Sequence, residues 1–279
     1  MEIGLQFDPV TLEIESPKEV TLRSSPLTLA ILLPTLAAAC GTPEPIPGNA
    51  GALGQGEVVG GQVWDSLGLL ALREEMVRHQ IEARGIGDTA VLRAMREVPR
   101  HSFVPEAPPA QAYGDYPLPI GHGQTISQPY IVAFMAEAAD ISAGDRVLEI
   151  GTGSGYGAAV LSELASEVYT IEMVPELAER ARAILGRLGF ENVEVLTGNG
   201  WLGWPEHAPY DAVVVTAAPD EVPANLVDQL AVGGTLVVPV GDLIQTLRVL
   251  RKTPRGMVEE ASLPVRFVPM VRARPDTGG

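Results

Sequence analysis

The sequence predicts an α/β protein: a doubly wound, mostly parallel sheet with an N-terminal helical cap. Three observations carry that expectation. From Val147 to Val240, short and nearly continuous apolar strands alternate with helical segments. Strands of that kind are buried on both faces, so helices must cover both sides of the sheet. A glycine-rich turn joins the first of these strands directly to a helix. Finally, a chain of 279 residues, 46% of them hydrophobic, can bury one sizeable core with length left over for an extension.

Each element has its own local reason. Leu67 to Arg84 carries Leu69, Leu70, Leu72, Met76 and Ile81 at helical spacing, with Gly85 as its stop. Asp88 is an N-cap for a second helix through Glu97, ended by Pro99. A Pro-rich and Gly-rich stretch then runs to Gly123. After Pro129 a helix places Ile131, Met135 and Ala138 on one side. Sheet strands are expected at 147–150, 168–172, 193–196, 211–215 and 235–240. Helices at 156–165, 175–188 and 224–230 connect them, the second with Pro175 in its first turn. Leu247 to Leu250 and Val265 to Val271 offer two more strands, antiparallel at one edge, making seven.

Residues 1–69 differ in character and read as an N-terminal extension, 70–272 as the folded domain and 273–279 as a tail. Ser24 to Ala39 is an apolar run of signal-peptide length, too short to span a bilayer comfortably. Small residues ahead of Cys40 resemble a lipoprotein cleavage site, which makes Cys40 a candidate lipid anchor within a leader at 20–40. The acidic Met1 to Glu19 departs from that pattern; a start near Val20 would leave Arg23 just ahead of the run. Residues 41–65, rich in Gly, Pro and Ala, read as a flexible linker.

Composition excludes several functions. The formal net charge is −16 with no Lys/Arg run, so nucleic acid is not an expected partner. Cys40 is the only cysteine, which rules out an intrachain disulfide and a cysteine zinc site. The four histidines have no metal-ligand spacing, and no metal is expected.

The strongest chemical signal is VLEIGTGSGYG, Val147 to Gly157. Gly151, Thr152, Gly153 and Gly155 form a turn at the carboxyl end of the first strand, where open α/β sheets bind ligands. Gly153, Gly155 and Ala158 formally satisfy a dinucleotide fingerprint. The register from Gly151 instead gives G-x-G-x-G, with Glu149 inside the strand. A buried carboxylate is costly without a partner, and a cationic amino-acid end such as the ammonium of S-adenosylmethionine supplies one through a water. Glu172, closing the second strand, can accept from both ribose hydroxyls. The turn after an apolar-Glu strand resembles motif I of class I methyltransferases, and so implies a Rossmann-like fold and S-adenosyl-L-methionine as cofactor.

The substrate evidence lies upstream. VPRHSFVPEAPPAQAYGDYPLPIGHGQTISQPY, Val98 to Tyr130, closely resembles the protein-L-isoaspartate O-methyltransferases. So do Gly203-Trp204-Pro205, the APYDAVVVTAAP stretch and the terminal VRFVPMV. The resemblance runs from about Met76 to Val271. It implies methyl transfer to the free α-carboxyl of L-isoaspartyl residues in damaged proteins, a cytoplasmic monomer, and Ser127 as the catalytic serine. Gln124, Thr125 and Ile126 are its neighbours in the substrate loop. Asn199 and Gly200 match the adenine contact, where the family usually has an acidic residue in place of Asn199. His101, His122, Trp201 and Trp204 are expected to be structural. A small-molecule carboxylate as acceptor, a binding protein that has lost activity, and an exported lipoprotein tethered through Cys40 are the alternatives.

Overall fold

The computed structural model describes residues 57–59, 62–64 and 66–272, so the leader, Cys40 and the tail lie outside the described residues. Within the stretch read as a linker, β1 (Glu57–Val59) pairs antiparallel with β2 (Gln62–Trp64).

The cap begins with α1 (Ser66–Glu75). The single helix expected to Arg84 is not uniform: Met76–Ile81 is π-helical and Glu82–Arg84 a 3₁₀ turn. Met76 and Ile81 are five residues apart and both fully buried, and wider i→i+5 turns put such residues on one face. Gly85 stops the run with φ +99°. In α2 (Thr89–Glu97), Asp88 Oδ1 accepts from the Ala90 and Val91 backbone N–H groups at 2.7 and 3.0 Å, a helix cap legible in the sequence. The Pro-rich stretch holds a short helix, α3 (Pro109–Ala112), and a hairpin absent from the sequence reading: β3 (Leu118–Gly121) with β4 (Gln124–Ile126). Three residues on, α4 (Pro129–Ala138) begins.

The sheet follows as β5 (Arg146–Ile150), α5 (Tyr156–Ser162), β6 (Glu167–Glu172), α6 (Pro175–Leu188), β7 (Val193–Thr197), β8 (Tyr210–Val215), α7 (Ala224–Gln229), β9 (Leu230–Val240), β10 (Gln245–Thr253) and β11 (Gly256–Val265). Its order is β11-β10-β9-β8-β5-β6-β7, with the five strands from β9 to β7 parallel and β10 and β11 antiparallel at the other edge.

The last strand differs from the expectation of 265–271. It is largely exposed because it is the sheet edge, and Glu259, Glu260 and Ser262 interrupt its apolar residues. The apolar segment beyond it makes only a single bridge, Ala218 to Pro269. That segment is apolar because it walls a cavity, and it forms no strand of its own.

Alternation along the strands divides the core in two. Val147, Val168, Val214 and Val237 face α2, α4, α5 and α6, while Leu148, Ile150, Ile171, Val213 and Leu236 face α7 and the loop bearing Trp204. Strand order reverses at β5: β6 and β7 extend to one side, then β8 returns to the other. The carboxyl ends of β5 and β8 therefore open a crevice at the switch point.

Candidate functional site

That crevice is floored by the turn after β5. The Gly151 N–H donates to the Ile171 carbonyl at 2.8 Å, and the Thr216 N–H to the Ile150 carbonyl at 2.9 Å, so the parallel ladder ends here. Gly151 has φ +99°, and a Cβ on it would lie 2.4 Å from Thr216 Oγ1. Both facts demand glycine. The Thr216 hydroxyl donates to the Gly151 carbonyl at 2.7 Å and ties the turn to the end of β8.

Glu149 shares the face of Val147 and points toward α5, where it is 1% exposed. The Thr170 hydroxyl donates to its Oε2 at 2.6 Å, and Thr152 Oγ1 lies 2.7 Å from Thr170 Oγ1. Thr170 has one proton, which goes to the carboxylate, so Thr152 donates to Thr170. Burial pushes the Glu149 carboxyl up from 4.5 to about 8; the Thr170 bond opposes this, and the nearby Glu172 charge adds to it. Its Oε1 packs against Gly157, where a Cβ would sit 2.3 Å from that oxygen. The helix has a glycine there because the carboxylate occupies the side-chain position.

Glu172, at the carboxyl end of β6, is 7% exposed. Its Oε2 accepts from the Gly153 N–H at 2.8 Å and its Oε1 from the Val174 N–H at 2.9 Å. Its two oxygens thereby hold the glycine turn on one side and the start of α6 on the other, and each retains a lone pair toward the crevice.

Three cavities meet at this point. The first is lined by Glu149, Gly151, Thr152, Gly153, Gly157, Thr125 and Ser127 among others. The second is lined by Gln124, Thr125, Glu172, Met173, Gly200 and the 268–271 segment. The third is an open groove of about 1630 Å³ lined by Arg84, Ser127, Gln128, Tyr130, Ile131 and residues 263–268. Thr125 and Thr216 border all three, while Ser127 borders the first and the third. Ile126 is buried and seats the hairpin beside Ser127.

Other expected positions lie apart from the cavities. Asn199 borders none of the three; its Oδ1 accepts from the Trp201 N–H at 3.1 Å and caps a 3₁₀ turn. Gly155 starts α5 with φ +90° and packs on α6. His101 is buried with Nδ1 2.7 Å from the Tyr113 hydroxyl, and His122 is exposed at the hairpin turn. Trp201 Nε1 donates to the Val271 carbonyl at 3.2 Å, and Trp204 sets its edge on Tyr169. Sequence reasoning missed Thr170, Thr216 and the 268–271 wall. Thr170 stands directly opposite Glu149 on the paired strand.

A buried carboxylate beside a glycine turn, a second carboxylate at the next strand end, and cavities on both sides of the turn fit a cationic amino-acid nucleoside. A dinucleotide pyrophosphate at the glycine turn would instead bring its negative charge against Glu149.

The family profile described as protein-L-isoaspartate(D-aspartate) O-methyltransferase matches residues 71–275. A Gloeobacter violaceus protein-L-isoaspartate O-methyltransferase is 58% identical over 202 residues, covering 72% of this chain and 98% of that protein. One from Picosynechococcus is 57% identical over 201 residues, covering 72% of this chain and 90% of its own length. A solved protein-L-isoaspartate O-methyltransferase superposes with a TM-score of 0.66 at 33% identity, covering 74% of this chain and 67% of that one. A Plasmodium falciparum structure described by the same activity, in complex with S-adenosyl-L-homocysteine, gives 0.63 at 26% identity, covering 72% and 99%.

Proposed function

The chain belongs to the protein-L-isoaspartate(D-aspartate) O-methyltransferase family, and on that footing we propose that it methylates the free α-carboxyl of L-isoaspartyl residues in damaged proteins, with S-adenosyl-L-methionine as donor. The observation that carries this reading is the convergence at Ser127: one side chain borders both the cavity holding Glu149 and the open groove. A donor in the two cavities beside the glycine turn and a peptide in the groove would meet there.

Glu149 would take the ammonium of the cofactor, and Gly151, Thr152 and Gly153 the rest of its amino-acid end, while Gly155 lets the turn enter α5. Glu172 would accept from the ribose hydroxyls with its free lone pairs. Gly200 would pass under the adenine, with Asn199 holding that turn in shape. When bound, the cofactor supplies an electrophilic sulfonium methyl group. The acceptor carboxylate is already ionised near neutral pH, since such groups titrate at about 3 to 4. No proton needs to be removed, so no general base is needed. Ser127 donates its hydroxyl to the carboxylate and aims one oxygen along the line of transfer, while Gln124, Thr125 and Ile126 fix the hairpin above. The apolar lining of the groove at Ile131, Leu263 and Val265 strips water from the nucleophile.

Residues 70–272 form the catalytic domain in this reading, with 1–69 an extension and 273–279 a tail. Among the described residues no helix is long and apolar enough to cross a membrane. The cytoplasm, where S-adenosylmethionine is made, is the compartment this chemistry favours, and the protein acts as a monomer.

The test is methyl transfer from labelled S-adenosylmethionine to two peptides differing only in isoaspartyl versus aspartyl linkage. Label on the isoaspartyl peptide alone is expected. Equal labelling of both, or of neither while cofactor binds, would overturn the acceptor assignment.

A further inference from the structure

The side chain of Ser127 is placed by a short segment between β4 and α4. On its amino side the segment is held by hairpin pairing, Leu118 opposite Ile126. On its carboxyl side it is held by a residue that borders none of the three cavities. Asp115, in the loop before β3, accepts from Gln128 Nε2 at 2.7 Å and from the Tyr130 backbone N–H at 3.3 Å. Gln128 occupies the N-cap of α4 yet makes no capping bond to its own helix. Asp115 does that work from a distance, placing a negative charge at the amino end of a ten-residue helix, where it is favoured.

Arg84 closes the arrangement. Its Nη1 lies 2.5 Å from Asp115 Oδ2, and its guanidinium stacks 3.6 Å over the Tyr130 ring. Both oxygens of Asp115 are therefore engaged: Oδ2 by Arg84 and Gln128, Oδ1 by Tyr130. Arg84, Gln128 and Tyr130 all line the groove beside Ser127.

We propose that Asp115 is the positioning residue for Ser127, locking the Gln128–Tyr130 segment so that the serine hydroxyl faces both the cofactor cavity and the groove. The assignment rests on the reading of Ser127 as the carboxylate-holding group. The geometry requires a carboxylate at 115. Asparagine has the same shape but one acceptor oxygen, and its NH₂ would oppose either the Tyr130 N–H or the Arg84–Gln128 donor pair. The segment would then keep its fold but lose its single orientation, and small misplacements of a reacting group are costly in rate.

A double-mutant cycle tests this on the full chain, with kcat and KM for an isoaspartyl peptide, cofactor Kd and Tm measured for Asp115→Asn, Ser127→Ala and the pair. Asp115→Asn is expected to lower kcat by about tenfold to a hundredfold, with cofactor Kd and Tm nearly unchanged. In the Ser127→Ala background it should lower kcat no further. Asp115→Glu, which keeps both acceptors, should recover part of the loss. Equal losses in both backgrounds, or a loss that appears in Kd or Tm in place of kcat, would overturn the proposal. If Ser127→Ala alone leaves kcat unchanged, the reading of Ser127 fails first, and the assignment of Asp115 fails with it. Should Asp115→Asn not fold, Gln128→Met cuts one link only. Its kcat loss must likewise vanish without Ser127.

Discussion

Replacing Glu149 by glutamine should make the cofactor-free protein more stable and the enzyme worse. The carboxyl is 1% exposed and pushed from 4.5 to about 8, chiefly by burial, with the Thr170 bond opposing and the Glu172 charge adding. A raised carboxyl pKa means the folded state holds a proton that the unfolded chain releases. Stability is therefore whole below about pH 4.5, falls as pH rises through the window from 4.5 to 8, and stays low above it. A displacement of that size is worth on the order of 4 kcal/mol at pH 8. Glutamine fills the same volume, accepts the Thr170 hydroxyl through its carbonyl, and does not titrate. Denaturant unfolding of both proteins without cofactor should show the variant ahead by a few kcal/mol at pH 8 and level with wild type at pH 4.5. Cofactor binding supplies the missing cation, so wild type should release a proton on binding near pH 7, visible as a buffer-dependent calorimetric enthalpy. The variant should release none and bind at least about tenfold more weakly. A stability difference that does not change with pH, or a variant less stable at pH 8, would refute the electrostatic account of this site.

Three further outcomes follow from the same geometry. Ser127→Ala should reduce turnover by about tenfold to a hundredfold while S-adenosylhomocysteine affinity, measured by titration calorimetry, stays within about twofold. Glu172→Ala leaves the Gly153 and Val174 N–H groups without their acceptor. Cofactor Kd should rise by about tenfold to a hundredfold, with Glu172→Gln falling between. Gly157→Ala forces a methyl group to within 2.3 Å of Glu149 Oε1, so thermal unfolding should show a loss of about 1–3 kcal/mol together with weaker cofactor binding. Combining it with Glu149→Ala, which removes the obstructing oxygen, should recover most of the stability lost to the methyl group.

Much of this was legible in the sequence, and the division has a physical cause. Strand periodicity, the Asp88 cap, the glycine turn and the acidic ends of β5 and β6 are local signals, carried by residues close together in the chain. They suffice to place the parallel sheet, the crevice at its carboxyl ends and the two carboxylates. What the sequence could not reveal depends on partners far apart along the chain. Val265 to Val271 reads as a strand because it is apolar, yet its apolarity serves a cavity wall, and the true edge strand is interrupted by Glu259, Glu260 and Ser262. The hairpin at 118–126 has too few residues for a periodic signal. The Asn199 oxygen accepts from the Trp201 backbone N–H, a bond its position in the motif does not announce. Asp115 lies 12 positions before Ser127 and 31 after Arg84 in the chain, and only the packed loop brings them together. Local propensity and pattern thus determined the scaffold and the cofactor turn. Only tertiary packing decided which hydroxyls, carboxylates and apolar segments meet at the reacting point, because hydrogen bonds and burial depend on neighbours in space.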